Sequence, residues 1–348
     1  MKPRSAGARV EASGAVVLGR AVEVDGYAGR PYRVVTHIHR DHLRGLPESR
    51  RAAAAILATE ATVEMLEALG HRLPRNRTLS LALGRSLELP SGERLTLVSS
   101  RHVIGSCQVL VETSDGSLIG YTSDFKLPGT PPMRDLDILV IDATYGDPRM
   151  VRKFKREIDV LFADLVATIM SRGLSARVLA YHGKLQEAME ILRLHGIDAP
   201  FVLPDRIYEL TTVARRHGAR ISDYLAEGTK EADDAVRSGW FVEFQHMSRA
   251  GRPRRGVVDI ILTGWLFDEP IKRVDAGARE IYYVALSDHA DFEDTLLYLD
   301  DARPRLVVVD ASRASAPTAA IFSREVRSRL GLEALPLPET SRRLEVED

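Results

Sequence analysis

The chain has 348 residues, 48 basic and 49 acidic side chains and a net charge of −1, which excludes a globally basic nucleic-acid-binding tail protein. Its 45% hydrophobic and 28% charged residues are typical of a globular protein rather than a disordered or fibrous one. Cys107 is the single cysteine, which excludes an intrachain disulfide and a thiolate zinc cluster and favours a reducing, cytoplasmic setting. Since its apolar runs are far shorter than the roughly 20 residues that cross a bilayer, we expect no membrane partner.

The first part of the chain reads as short strands separated by turns. β-branched runs bounded by Gly, Pro, Asp and Ser predict strands over residues 9–18, 21–25, 33–36, 95–99, 108–113, 117–122 and 138–142. Apolar residues at helical spacing predict a helix over residues 51–69. This segment is therefore of the α/β class with many strands.

The pattern changes near residue 147, where long amphipathic segments begin to alternate with single strands. We predict helices over 153–172, 185–195, 205–217, 293–300 and 319–330, and strands over 177–181, 201–203, 257–263, 280–285 and 305–310. Residues 248–256 are rich in Gly, Pro and Arg and read as a basic loop. The short-strand pattern returns after this loop, so the order predicts one domain inserted between two halves of another.

The most informative stretch is His37-Ile38-His39-Arg40-Asp41-His42, which directly follows a predicted strand. Residues two apart in an extended segment point to the same side, so His37 and His39 can present two imidazoles to one ion. Asp41 and His42 lie further on and could hold a second ion. Imidazole and carboxylate are ligands that suit Zn²⁺, Mn²⁺ or Fe, and four of them in six residues argue against a solvated loop.

Three further candidate ligands stand at the ends of other predicted strands. His102 precedes Gly105, Asp124 follows the strand over 117–122, and His289 lies in Ser-Asp-His-Ala-Asp after the strand over 280–285. Functional side chains gather where loops leave one edge of a sheet. These positions are therefore expected to converge on the His37–His42 loop.

The spacing of these motifs resembles the metallo-β-lactamase superfamily, in particular its β-CASP nucleases, over nearly the whole chain. The resemblance implies an α/β fold, a four-layer αβ/βα sandwich with an inserted α/β β-CASP cap domain. We expect the core to occupy residues 1–146 and 277–348 and the cap to occupy residues 147–276. It also implies a metal-dependent phosphodiesterase or nuclease.

The resemblance further implies two divalent metal ions, with zinc preferred and manganese as the alternative. His37, His39 and His102 would hold one ion, Asp41, His42 and His289 the other, and Asp124 would bridge them. Asp41, Asp124 and His289 would take part in catalysis, with a hydroxide shared between the metals as the nucleophile. Asp25 and Asp142 match the acidic motifs whose carboxylates orient the ligand imidazoles.

The motifs Asp142-Ala-Thr-Tyr and Thr263-Gly264-Trp265 resemble the DNA cross-link-repair branch that includes Artemis. Ser-Asp-His289-Ala-Asp resembles the prokaryotic exonucleases associated with DNA ligases. DNA is therefore the preferred partner, and a repair or end-processing exonuclease is the preferred function. The chain departs from the family at 309–312, where Val-Asp-Ala-Ser stands in place of the residue that separates DNA from RNA nucleases.

Other functions stay open at this point. An RNA-processing or RNA-decay nuclease is the main alternative, and a catalytically weak nucleic-acid-binding protein is the next. A small-molecule hydrolase is disfavoured, because the inserted cap has no role in one. Candidate phosphate contacts are hydroxyl and cationic side chains at loop ends: Lys126, Thr144, Tyr145, Lys184, Thr263, Arg249 and Arg252.

Overall fold

A computed structural model describes residues 7–251, 254–277 and 279–338. Its strands are β1 (Ala8–Val10), β2 (Val16–Leu18), β3 (Val22–Val24), β4 (Tyr32–Val34), β5 (Ala55–Ala58), β6 (Thr78–Ser80), β7 (Ser86–Glu88), β8 (Arg94–Ser99), β9 (Cys107–Glu112), β10 (Leu118–Tyr121), β11 (Ile138–Ile141), β12 (Ser175–Ala180), β13 (Phe201–Leu203), β14 (Tyr224–Ala226), β15 (Val242–His246), β16 (Val257–Leu262), β17 (Ile271–Ala276), β18 (Arg279–Val284), β19 (Leu306–Asp310) and β20 (Glu333–Leu337). The α-helices of these ranges are α1 (Leu46–Ala52), α2 (Glu60–Ala68), α3 (Ile158–Ser171), α4 (Lys184–Leu194), α5 (Asp205–Arg216), α6 (Lys230–Ser238), α7 (Phe292–Ala302) and α8 (Ala316–Leu330).

Two sheets pack face to face and enclose a hydrophobic core between them. One has the order β1-β2-β3-β4-β5-β6 and the other β20-β19-β11-β10-β9-β8-β7. Alternation along each strand decides which way a side chain points. Leu57 and Val140 therefore point into the layer between the sheets, whereas Ile56 and Leu139 pack on the outer faces.

Helices cover both outer faces of this pair of sheets. Met65 and Leu66 of α2 pack with Ile56 over the first sheet, and Phe322 of α8 packs with Leu139 over the second. The order of layers is thus helix, sheet, sheet, helix. The predicted four-layer sandwich is confirmed.

A third sheet, of order β14-β13-β15-β12-β16-β18-β17, lies between the two halves of the sandwich in the sequence. Its strands pair in parallel except for β17, which is antiparallel to β18. Because β18 pairs with β16 in this sheet, we propose that the inserted segment ends after Val284 rather than at residue 276.

Three predicted elements have different bounds in the structure. The helix predicted over 51–69 is wrong, because Ala55–Ala58 is β5, which is buried and pairs with β4 and β6 between α1 and α2. The strand predicted over 9–18 is a hairpin of β1 and β2, in which Gly14 has a φ of 91°. The helix predicted from residue 153 begins at Ile158.

Among the described residues, no helix combines the length and the apolar character that a membrane span requires.

Candidate metal centre

The candidate ligands lie on loops that leave neighbouring strands of both sandwich sheets. The stretch from His37 to His42 follows β4 of the first sheet, and residues 40–43 form a 3-10 turn. His102 follows β8 and Asp124 follows β10 of the second sheet, while His289 comes after β18 of the inserted sheet. The three sheets therefore contribute to one cluster of side chains.

Asp124 Oδ2 is the centre of this cluster. The Nε2 atoms of four imidazoles surround it, at 3.2 Å for His42, 3.5 Å for His37, 3.6 Å for His102 and 3.7 Å for His289. Ligand atoms of His37, His39, His102 and Asp124 all lie within 4.8 Å of one another. One carboxylate oxygen is thus shared by imidazoles from three separate loops.

Each of three imidazoles is anchored through its outer nitrogen. His42 Nδ1 donates to Asp25 Oδ2 at 2.7 Å, His102 Nδ1 donates to the Asp288 carbonyl at 2.8 Å, and His289 Nδ1 donates to Asp142 Oδ2 at 3.1 Å. A neutral imidazole that donates from one nitrogen carries a lone pair on the other. The Nε2 atoms directed at Asp124 are therefore the atoms that would bind a metal once each ring is neutral.

The other two imidazoles are anchored in their own ways. Thr36 Oγ1 donates to Asp25 Oδ2 at 2.6 Å, so His37 Nδ1 must donate to Thr36 Oγ1 at 3.0 Å and leave its Nε2 basic. His39 is reversed, because its Nε2 donates to the His182 carbonyl of the inserted domain at 2.9 Å. Its inward atom is thus Nδ1.

These anchors test whether the cluster fits a metal ion. His39 Nδ1 and His102 Nε2 lie 3.0 Å apart, and both carry lone pairs when the outer nitrogens donate. The buried Nε2 atom of His37, whose ring is neutral, has no hydrogen-bond partner within the described ranges. Lone pairs that converge in this way need a cation between them, so the donor set fits a divalent metal.

Asp41 and His42 complete a second side of the cluster. Asp41 Oδ2 lies 3.3 Å from His42 Nε2, which is itself 3.2 Å from Asp124 Oδ2. Asp41 is half exposed, unlike His42 and Asp124, which are buried. Asp41 is therefore the most accessible of these three side chains.

The electrostatics divide the five imidazoles into two groups. Burial holds the pKa values of His37, His39 and His102 below the usual range, that of His102 at about 3, so these rings are neutral at pH 7. Burial also opposes the charge on His42 and His289, but Asp124 and further carboxylates outweigh it and raise their pKa values, that of His289 to about 9.

Asp124 keeps its charge despite its burial. Desolvation opposes the ionised form, but His42, His289 and His37 outweigh it and hold the pKa of Asp124 well below its usual value. A carboxylate that stays ionised at every physiological pH is the ligand type that a divalent cation requires.

The expected supporting carboxylates, Asp25 and Asp142, are buried beside the cluster. Asp25 accepts hydrogen bonds from the backbone N–H and hydroxyl of Thr36 as well as from His42. Asp142 Oδ2 accepts from His289, while its Oδ1 accepts from the backbone and hydroxyl of Thr144. These bonds fix the orientation of the imidazoles.

The candidate phosphate contacts occupy different surroundings. Lys126 Nζ pairs with Glu187 at 2.5 Å, and Lys184 Nζ pairs with Asp288 Oδ1 at 2.9 Å in a buried contact. Tyr145 is buried with its ring 6.0 Å from that of His289.

Two more of these candidates lie at the end of the inserted sheet. Thr263 Oγ1 accepts from the Trp265 backbone N–H at 3.1 Å, and Arg249 is exposed in a 3-10 turn after β15. Arg252 lies outside the described residues.

Sequence reasoning missed three contributors to the site. The Asp288 and His182 carbonyls anchor imidazoles, and backbone atoms leave no signal in residue type. Arg313 is buried, donates to Asp310 and to the Asp25 carbonyl, and points its Nε toward Asp41 at 4.0 Å. It supplies positive charge beneath a cluster that is rich in carboxylates.

A sequence profile described as a β-lactamase superfamily domain matches residues 32–199, which hold His37 to His42, His102 and Asp124. The chain belongs to the metallo-β-lactamase superfamily. The resemblance on which the sequence analysis relied is thereby confirmed, and with it the enzyme class. The superfamily's metal-binding character agrees with the cluster of imidazoles around Asp124.

Several relatives accompany this match. An "Uncharacterized protein in lig 3'region" from Acidianus ambivalens is 47% identical over 127 residues, 36% of this chain and 90% of that one. A "Probable DNA ligase" from Opitutus terrae is 28% identical over 88% of this chain and 28% of its own length. "Probable RNase MJ4" from Methanocaldococcus jannaschii is 24% identical over 73% of this chain and 64% of its own length.

A solved structure supports the fold of this superfamily member. A protein of unknown function from Enterococcus faecalis V583 aligns with a TM-score of 0.59 and 14% identity, over 90% of this chain and 80% of that one. At this identity the likeness concerns the fold alone.

Proposed function

We propose that the protein is a metal-dependent nuclease that hydrolyses phosphodiester bonds, and that it is a DNA exonuclease in repair or end processing. The observation that carries the proposal is the arrangement of imidazole nitrogens around Asp124 Oδ2, each with its outer nitrogen anchored. The names of two relatives, one a probable DNA ligase and one tied to a lig region, support DNA as the substrate.

The proposed ligand set divides over two ions, zinc in preference to manganese. His37, His39 and His102 hold one, Asp41, His42 and His289 hold the other, and Asp124 bridges them. When bound, two divalent ions activate water near neutral pH and neutralise charge on the attacked phosphate.

The chain's own residues position these groups. Asp25 and Asp142 fix the tautomers of His42 and His289, so that Nε2 rather than Nδ1 faces Asp124 and the proposed metal position. Asp124 stays ionised and holds the four surrounding imidazole Nε2 atoms close to its Oδ2. The half-exposed Asp41 marks the side from which a phosphodiester enters.

The proposed phosphate contacts differ in whether they already have a partner within the protein. Arg249 is exposed at the cap surface, where it would meet a backbone phosphate. Thr144 and Thr263 each have a hydroxyl engaged with the chain, and Lys126 and Lys184 are paired with carboxylates. A substrate phosphate would have to displace Glu187 or Asp288 to reach either ammonium group.

An RNA-processing nuclease is the second candidate, and the similarity to a probable RNase favours it. The stretch at 309–312 does not separate the two, because Asp310 accepts from Ser312 and Arg313 and does not face the cluster as a free carboxylate.

Metal content and nuclease assays on purified protein test the proposal. Wild type is expected to hold close to two equivalents of zinc or manganese and to degrade end-labelled single-stranded DNA faster than RNA of the same sequence. Asp124→Asn and His42→Ala are expected to lower the rate by orders of magnitude. His195→Ala, which changes an exposed histidine remote from the cluster, is the matched control and keeps full activity.

Circular dichroism shows whether each variant is folded. Full activity of folded Asp124→Asn would contradict the metal centre as the site of hydrolysis. Faster cleavage of RNA would favour the second candidate, and binding of nucleic acid without cleavage by wild type would favour a binding protein.

A further inference from the structure

Two exposed aromatic side chains follow neighbouring strands at the carboxyl edge of the inserted sheet. Tyr181 follows β12 and is 57% exposed, and Trp265 follows β16 and is 62% exposed. β12 and β16 are parallel neighbours with Leu179 level with Ile261, so both rings leave the same edge. We propose that they form a stacking track for the bases of an unpaired DNA strand, an inference that rests on the proposed function.

The loop that carries Trp265 is held rigidly. The Trp265 backbone N–H donates to Thr263 Oγ1 at 3.1 Å. The Gly264 carbonyl accepts two hydrogen bonds from the Arg152 guanidinium, from Nε at 3.1 Å and from Nη2 at 3.0 Å. The Arg152 guanidinium also lies 4.2 Å from the centre of the Tyr145 ring. An exposed ring on a fixed loop loses little conformational entropy when a base stacks on it.

Trp265 is also close to the metal centre. Its ring packs edge-on against Tyr145 at 5.0 Å, and Tyr145 packs edge-on against His289 at 6.0 Å. One buried ring thus separates Trp265 from a metal ligand. A base stacked on Trp265 would belong to a nucleotide next to the phosphate at the cluster.

Positive charge continues along the same edge. In the order of the sheet, β15 lies beyond β12 and β13 beyond β15. Arg249 follows β15 and Arg206 follows β13, and both are exposed. A cavity of about 520 Å³ lies between them, and its lining also includes His182, His246 and the carboxylates of Glu227 and Glu243. Tyr181 contacts His246 edge-on at 5.4 Å, so the aromatic and cationic parts of the track adjoin.

This combination matches the chemistry of a single strand. Proteins that bind unpaired strands join a positively charged groove to aromatic rings on which successive bases stack. In a duplex the bases stack on one another and cannot offer both faces to a protein. The track therefore selects an unpaired end or strand, with little preference for sequence.

Tryptophan fluorescence tests the track, because Trp240 and Trp265 are the two tryptophans of the chain. Trp240 stands before β15, at the opposite, amino edge of the same sheet. In Trp240→Phe the emission comes from Trp265 and is expected to be quenched by a phosphorothioate single-stranded oligodeoxynucleotide, which resists cleavage. In Trp265→Phe the emission comes from Trp240 and is expected to stay unchanged.

Affinity measured by fluorescence anisotropy completes the test. Trp265→Ala and Tyr181→Ala are each expected to raise the Kd for the single strand about five-fold or more. Trp265→Phe is expected to retain most of the affinity, and Trp240→Ala is the matched control with wild-type affinity. The Kd for a blunt duplex is expected to be the same in wild type and in both alanine variants, Trp265→Ala and Tyr181→Ala.

The outcomes separate this inference from the proposed function. Unquenched Trp265 emission, or wild-type affinity in both alanine variants, would overturn the track while cleavage of DNA could still stand. Quenching by the phosphorothioate strand, together with no cleavage by wild-type protein of the unmodified strand of the same sequence, would support the track and overturn the nuclease. Failure of wild type to bind the oligonucleotide at all would overturn both.

Discussion

His39 differs from the other four imidazoles of the centre in the nitrogen that it turns inward. Its Nε2 is held by the His182 carbonyl, whereas the other rings are held through Nδ1. A side chain that bound metal through the wrong nitrogen would displace the ion by the width of a ring. Each ligand therefore depends on its outer partner as much as on its own chemistry.

The proton on His289 predicts how metal affinity depends on pH. Burial lowers the pKa of His289, but Asp124 and Asp142 raise it to about 9, so at pH 7 a metal ion must displace a proton there. Affinity is therefore expected to increase as the pH rises from 7 toward 9, by about ten-fold per unit for the proton of His289, and His42, whose pKa is also raised, adds to this dependence.

Competition titrations with a zinc chelator at several pH values measure this dependence. Asp142→Asn removes one of the carboxylates that raise the pKa and should flatten the curve, whereas Asp164→Asn, on the exposed face of α3, should not. An equally steep curve in Asp142→Asn would contradict the assignment of the proton to His289.

At the scale of elements, the loop from Thr263 to Trp265 joins the inserted sheet to the metal centre. Only glycine fits at position 264, because a Cβ atom there would overlap Tyr145 Oη and lie 2.9 Å from Ser287 Oγ. Tyr145 follows β11 of the sandwich, and Ser287 precedes the ligand His289. The two parts of the molecule therefore meet at a contact that admits no side chain.

Gly264→Ala is accordingly expected to destabilise the protein by about 1–3 kcal/mol, the usual cost of overpacking. Tyr145→Phe removes the overlapping hydroxyl and should recover part of this loss in the double variant, as a double-mutant cycle in urea would measure. Additive losses in the double variant would show that Tyr145 is not the obstacle.

At the scale of the whole molecule, the metal centre ties together both sandwich sheets and the inserted domain. Its proposed ligands follow strands of all three sheets, and two anchors, the His182 carbonyl and the Lys184 to Asp288 pair, cross between the inserted domain and the sandwich. Bound metal should thus stabilise the arrangement of the domains as well as the loops themselves.

Removal of metal is expected to lower the Tm, since a ligand at 100 times its Kd stabilises the folded state by about 2.7 kcal/mol. Hydrogen exchange should rise at residues 36–42, 182–185 and 286–290, whereas β13, remote from the ligands, should stay protected. Restoration of zinc should reverse both changes. Unchanged exchange at 182–185 would mean that the cap is held without help from the metal.

Much of this arrangement could be predicted from the sequence, because ligand chemistry resides in residue types. Histidine and aspartate side chains at strand ends predicted a convergence that the structure contains, and alternation predicted most of the strands. The helix predicted over 51–69 failed for a tertiary reason. Residues 55–58 have an apolar run compatible with either element, and pairing with β4 and β6 decides for a strand.

The rest could not be predicted, because it depends on backbone atoms and on distant partners. The His182 carbonyl is 143 residues from His39 in sequence. Lys184 has the residue type of a phosphate ligand, yet Asp288 lies 2.9 Å from its ammonium group. Residue types indicate what a side chain is able to do, but the fold decides which partner it has.

The order in which the ligands occur along the chain has a consequence for biosynthesis. Six of the seven proposed ligands lie before residue 125, and the seventh, His289, is translated only after the whole of β12 to β18. His39 also requires the His182 carbonyl to take its proper orientation. A chain still growing on the ribosome therefore lacks the complete set of side chains and the anchor of His39 until the inserted domain and residue 289 have been synthesised.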